Sequence, residues 1–130
     1  MRPSLSLAAL LILPAALLLP ARAAAQALDD PTIVAIFDAT NTADIETGTL
    51  AAKRAQSKDV RDYGAMIAHD HEAVRQMGRD LAKKLGVTPT PPAGDASAKT
   101  QAETMAALRA KHGADFDRHW WSTRSPSTRA

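Results

Sequence analysis

The chain has 130 residues, 45% of them apolar and 23% charged, which is enough for one small globular domain. Its 16 basic and 14 acidic residues leave no basic patch interleaved with aromatics, which excludes nucleic acid as a partner. The absence of cysteine excludes disulfides, thiolate metal sites, a cysteine nucleophile and a lipid anchor on cysteine.

Residues 1–27 read as a secretory signal peptide. Arg2 precedes an apolar run from Leu5 to Leu19, and small residues close the segment at Ala23-Ala24-Ala25-Gln26-Ala27. Cleavage is expected after Ala25 or Ala27. The two arginines of this leader, Arg2 and Arg22, then leave with it, and the remainder is balanced in charge. The mature chain is not expected to span a membrane.

Asp30-Pro31 opens the first helix, with Asp30 as N-cap and Pro31 at the first helical position. Its stripe runs Ile33, Ile36, Phe37, Thr40, Ala43, Thr47, Leu50 and Ala51, small enough in the middle for a neighbour to come close. Asp44 and Glu46 flank the stripe. Gly48 costs up to about 1 kcal/mol relative to alanine in a helix, and either close packing or tolerance of a weak position accounts for it.

Ser57 is expected to cap the second helix, Val60–Leu85, which stops at Gly86. Val60, Gly64, Ile67, His71, Val74, Gly78, Leu81 and Leu85 share one face of it. His71 puts a titratable ring in the middle of an apolar stripe, and such local inconsistencies concentrate at functional or strained sites. His69 points the other way, into solvent. Asp70 lies off the stripe, where Arg75 or Lys53 can pair with it. The short break at Ser57 implies an antiparallel helix pair. Counting outward from it sets Glu46 opposite about Ala68, with Thr40, Asp44 and Thr47 at heights comparable to His71.

Residues 87–97 form a proline-rich surface loop. A third helix is expected over Ala98–His112, capped by Ser97 and stopped by Gly113, with His112 compensating its dipole. Asp115 looks like the cap of a further helix. Residues 119–130 carry no apolar period, however, and read as an irregular, disordered tail behind a domain over 28–118.

The run Asp44-Ile45-Glu46, Leu50-Ala51, Ala55-Gln56-Ser57, Val60-Arg61, Met66-Ile67 and Asp70-His71 resembles the domain-of-unknown-function family DUF4142. Gly113-Ala114 followed by Phe116-Asp117-Arg118 is similar to that family's approach to its last helix. The resemblance implies an exported, ferritin-like four-helix bundle of the periplasm or outer membrane, with Asp70, His71, Phe116 and Asp117 as motif residues. It also implies a long last helix bearing another histidine. Here the Ser/Thr/Arg tail stands in its place, as a truncation or frame shift near Arg118 would produce. The expected architecture is therefore all-α: a ferritin-like antiparallel bundle with three helices present and the fourth largely replaced by the tail. Its uncovered apolar face would be open to self-association.

Two functional readings stay open. One is a non-catalytic periplasmic bundle that binds an envelope protein or a small ligand and needs no cofactor. The other is a ferritin-like metal protein with an incomplete site of His71, Glu46 and Asp44, taking iron, zinc or manganese. The Glu-x-x-His element of di-iron bundles is missing, because Ala68 stands three residues before His71. Outside a metal site, His71 is expected to be a buried neutral ring bonded to Thr40, Thr47 or a carboxylate. No nucleophile elbow, P-loop or dinucleotide glycine pattern occurs, so no enzymatic activity is expected.

Overall fold

Two long helix-forming stretches separated by three residues fold back on each other and set the frame. The computed structural model describes residues 28–124, so the expected leader at 1–27 and the last residues of the expected tail lie outside the described residues. Within them the chain is all-α, with α1 Asp30–Arg54, α2 Lys58–Leu85, α3 Ser97–Arg109 and α4 Gly113–Arg124. None of these helices is long and apolar enough to cross a membrane.

Glycines set the α1–α2 distance. A Cβ on Gly48 would come 2.6 Å from the Gly64 carbonyl oxygen, and one on Gly64 would come 2.7 Å from the Ala51 methyl. Of the two explanations for Gly48, close packing is therefore the operative one. Near the other end of the pair, a Cβ on Gly78 would come 2.5 Å from the Phe37 ring. Asp38 and Arg79 clasp the same end, with Nε at 2.5 Å and Nη2 at 3.0 Å from the carboxylate.

The cap of α1 is Asp29, one residue before the expected Asp30. Its carboxylate accepts from the Thr32 amide at 2.9 Å. Ser57 holds the N-cap position of α2 but makes no capping bond with its side chain. Asp117 of α4 holds the turn before it, accepting from the amides of Gln56 at 3.0 Å and Ser57 at 2.8 Å. Gly86 ends α2 as expected, in the left-handed region at φ 67°.

Two expectations about the last third of the chain are corrected. First, α3 ends at Arg109 rather than His112. Arg54 reaches across from α1 and donates to the carbonyls of Arg109 and Lys111 at 3.0 and 3.2 Å and to His112 Nδ1 at 3.1 Å. A guanidinium already satisfies the C-terminal carbonyls, and His112 accepts from it. Second, Gly113 at φ 55° begins a helix instead of ending one. That helix continues through His119 to Arg124, where an irregular tail was expected. Phe116 and Trp120, one helical turn apart, are both fully buried, and the indole N–H donates to the Thr47 carbonyl at 3.0 Å. Two anchors one turn apart suffice to dock α4, but they are too few to make a visible apolar period.

The core joins Ala51, Val60, Ile67, Met105, Leu108, Phe116 and Trp120. It lies where α3 and α4 cover the α1–α2 hairpin, toward the hairpin's turn. Toward its open end the hairpin is accompanied by the connection after α2, where the Thr90 amide donates to the Pro31 carbonyl at 3.1 Å.

Candidate functional site

Halfway along the hairpin, polar side chains from three helices meet. Asn41 of α1 is buried, and its amide nitrogen donates to the Phe37 carbonyl at 2.8 Å. Its oxygen therefore faces α2, where His71 Nδ1 lies 2.9 Å away. The Asp44 carboxylate is 3.4 Å from the same nitrogen. Both neighbours are acceptors, so His71 carries its proton on Nδ1 and in the neutral ring leaves Nε2 bare. The ring is 37% exposed, half-buried rather than in the core.

Arg124, at the end of α4, closes the cluster from the third side. It donates to Asp44 at 2.5 Å and to the Thr47 hydroxyl at 2.6 Å, and its guanidinium lies 5.5 Å from the Trp120 ring centre. The Thr47 hydroxyl in turn donates to the Ala43 carbonyl at 2.9 Å. Asp44 thus receives a fixed cation from α4 and the imidazole edge from α2.

The helix alignment counted from Ser57 puts His71 and Asp44 at the same height, and they do meet. Their partners differ from expectation. Thr40 is exposed and the Thr47 hydroxyl is taken, so Asn41 is the ring's closest partner. Glu46 turns away toward α3, where Gln101 Nε2 donates to it at 2.8 Å. Of His71, Glu46 and Asp44 only two come together. Among the described residues no three His, Cys, Asp or Glu side chains are grouped to hold a metal ion. Arg124 also supplies Asp44 with the positive charge that a metal would otherwise bring, so this donor set does not fit a ferritin-like metal centre. Asp70 is exposed and makes no ion pair among the described residues, while Arg75 binds Glu72 at 2.6 Å and the Thr42 hydroxyl at 3.0 Å instead. His69 is exposed, Phe116 is core, and Asp117 is the cap of the hairpin turn.

A groove of about 1620 Å³ opens beside this cluster, between α1, α3 and the end of α4. Leu50, Ile67 and Met105 contribute apolar surface to it, and Asp44, His71 and Gln101 contribute polar edges.

Residues 17–128 match the family described as Domain of unknown function (DUF4142). The chain belongs to this family. No curated protein and no solved structure matches it. The DUF4142 match spans all four helices and runs past Arg118, the position at which the sequence alone seemed to leave the family pattern. Asn41 and Arg124 are the site residues that sequence reasoning missed. Asn41 had a readable signal, since it is polar on the side of α1 that the hairpin count turns toward His71. Arg124 had none, because its place depends on α4 continuing.

Proposed function

We propose that this DUF4142 chain is an exported, periplasmic helical bundle of ferritin-like type that acts by binding rather than by catalysis. Its receiving surface is the groove between α1, α3 and the end of α4, and the occupant is a segment of another envelope protein. The groove's size carries this reading. Small-molecule pockets are typically about 300–1,000 Å³, and this one is about 1620 Å³. The polar groups at its edge are already committed to one another: Asp44 to Arg124, and Glu46 to Gln101. Among the described residues no activated nucleophile is paired with a base, which supports binding over catalysis. The long antiparallel α1–α2 pair, covered on one side by α3 and α4, supports the ferritin-like reading. The apolar leader followed by small residues supports export.

A photo-crosslinking residue at Gln101, inside the groove, is expected to trap one specific envelope protein in intact cells. The same probe at Ala106, exposed on the outer side of α3, is expected to trap none. Equal trapping, or none at either position, removes the reading. Export is tested separately: protein recovered from the envelope should begin at Gln26 or Leu28, and accumulation of the uncut chain in the cytosol would contradict it.

The metal reading keeps one supporting observation, the bare Nε2 of His71. Asp44 would support Nδ1 as an outer-shell carboxylate. Stoichiometric iron, zinc or manganese that is lost in His71→Ala would establish it, and a folded protein that takes up none of the three would end it.

A further inference from the structure

Beyond Arg124 the hairpin continues without α4 over residues 30–43 of α1 and 72–85 of α2, a track about 21 Å long at 1.5 Å per residue. Its side chains lie on the face that α4 covers lower down. They are apolar and open: on α1, Ile33 is 48%, Ile36 39% and Phe37 38% exposed, and on α2, Val74 is 42%, Met77 70% and Leu81 55% exposed. None of these six lines the groove described above. We propose that this track is an interface between two copies of the chain, packed antiparallel about a two-fold axis at Met77. Two hairpins face to face supply four helices where each copy alone has two. The orientation follows from α4, which occupies the same face lower down: a parallel pair would drive the two α4 helices into each other. In the antiparallel pair, the open end of each hairpin meets the end of the other's α4. The six side chains, 38% to 70% exposed, form an apolar centre bordered by polar side chains, the usual anatomy of an interface between subunits. Charge supplies the register. Asp70 and Lys84 each stand two helical turns from Met77, on one row of α2, and neither makes an ion pair among the described residues. An antiparallel partner centred on Met77 brings each Asp70 to the other copy's Lys84.

Sedimentation of the full chain as purified from cells is expected to give a dimer. The chain has no cysteine, so Met77→Cys should become a disulfide-linked dimer on mild oxidation. His69→Cys, exposed on the other side of α2, should not. Asp70→Lys and Lys84→Asp should each weaken the dimer about tenfold, since each breaks two exposed pairs, and the double swap should restore it. A monomer at every concentration, a higher oligomer, equal crosslinking from both cysteine variants, or a double swap no stronger than the single ones would each overturn the proposal. None of these outcomes bears on what occupies the groove.

Discussion

The Asn41 amide donates to the Phe37 carbonyl, and this turns its oxygen to His71 and settles the ring's proton on Nδ1. A free histidine side chain favours the opposite, Nε2–H form, so the tautomer is a measurable imprint of the α1–α2 contact. Nitrogen chemical shifts of the neutral His71 ring are expected to show the Nδ1–H form, and Asn41→Ala should move the ring toward the Nε2–H form. Unchanged shifts in that variant would mean that Asp44 alone orients the ring. His71 is half-exposed but its partner Asn41 is buried, so removing the ring should cost about 1–3 kcal/mol, the penalty of leaving the Asn41 oxygen without a donor. At this scale the sequence was a good guide to position and a poor one to partnership. Counting from the Ser57 turn set Thr40, Asp44 and Thr47 at heights comparable to His71, but which polar side chain lies closest depends on how the two helices are rotated about their axes. That rotation is set by Gly48 and Gly64, whose role was itself undecided before their contacts were known.

Those glycines govern the elements. Gly64→Ala gains up to about 1 kcal/mol of helix propensity but drives a methyl against Ala51 and the Gly48 carbonyl, and overpacking of this kind typically costs 1–3 kcal/mol or more. A net loss of stability in urea unfolding is expected. Gly78→Ala meets only the Phe37 ring, which is 38% exposed and can swing outward, so it should be close to neutral. If both variants behave alike, backbone proximity does not control the crossing. The Asp38–Arg79 clasp adds a pH dependence to the same pair. Hydrogen bonds from Arg79 hold the Asp38 carboxyl below its ordinary value of 3.8, helped by the charges of Arg79 and Arg75 and opposed by partial burial. A lowered folded value means that the clasp contributes fully above the ordinary value and is lost as pH falls through the depressed one. Wild type should therefore exceed Asp38→Asn by a constant margin well above pH 3.8, begin to lose that margin near it, and converge on the variant once pH has fallen through the depressed value. A margin that persists in strong acid would contradict this. Helices α1 and α2 were legible because long apolar stripes and a glycine stop announce them. Helix α4 was not, because its stabilisation is tertiary: two buried aromatics and one indole bond to Thr47 hold a segment with almost no period of its own.

The whole molecule is uneven along its length. Near the hairpin turn, four helices enclose a core that includes Leu108, Phe116 and Trp120. Toward the open end, the same α1–α2 stripe carries large apolar side chains that are one-third to two-thirds exposed. The all-α class was apparent from the sequence, whereas the apolar face expected to lie open for want of a fourth helix is covered by α4 near the hairpin turn. The covered end was misjudged, since the turn before α4 is held by Arg54 from 55 residues earlier in the chain, a contact no local pattern reveals.

The cap that Asp117 lends to the hairpin turn couples these parts in time as well as in space. The amides of Gln56 and Ser57 are held by a carboxylate on α4 and not by the helix they introduce. Whenever α4 detaches, those two protons lose their acceptor while the long helices stay zipped. Their exchange with deuterated solvent should run faster than that of the α1 and α2 interior, and Asp117→Asn should speed it further. Two backbone amides near the middle of the chain thus act as a clock for the opening of its C-terminal helix.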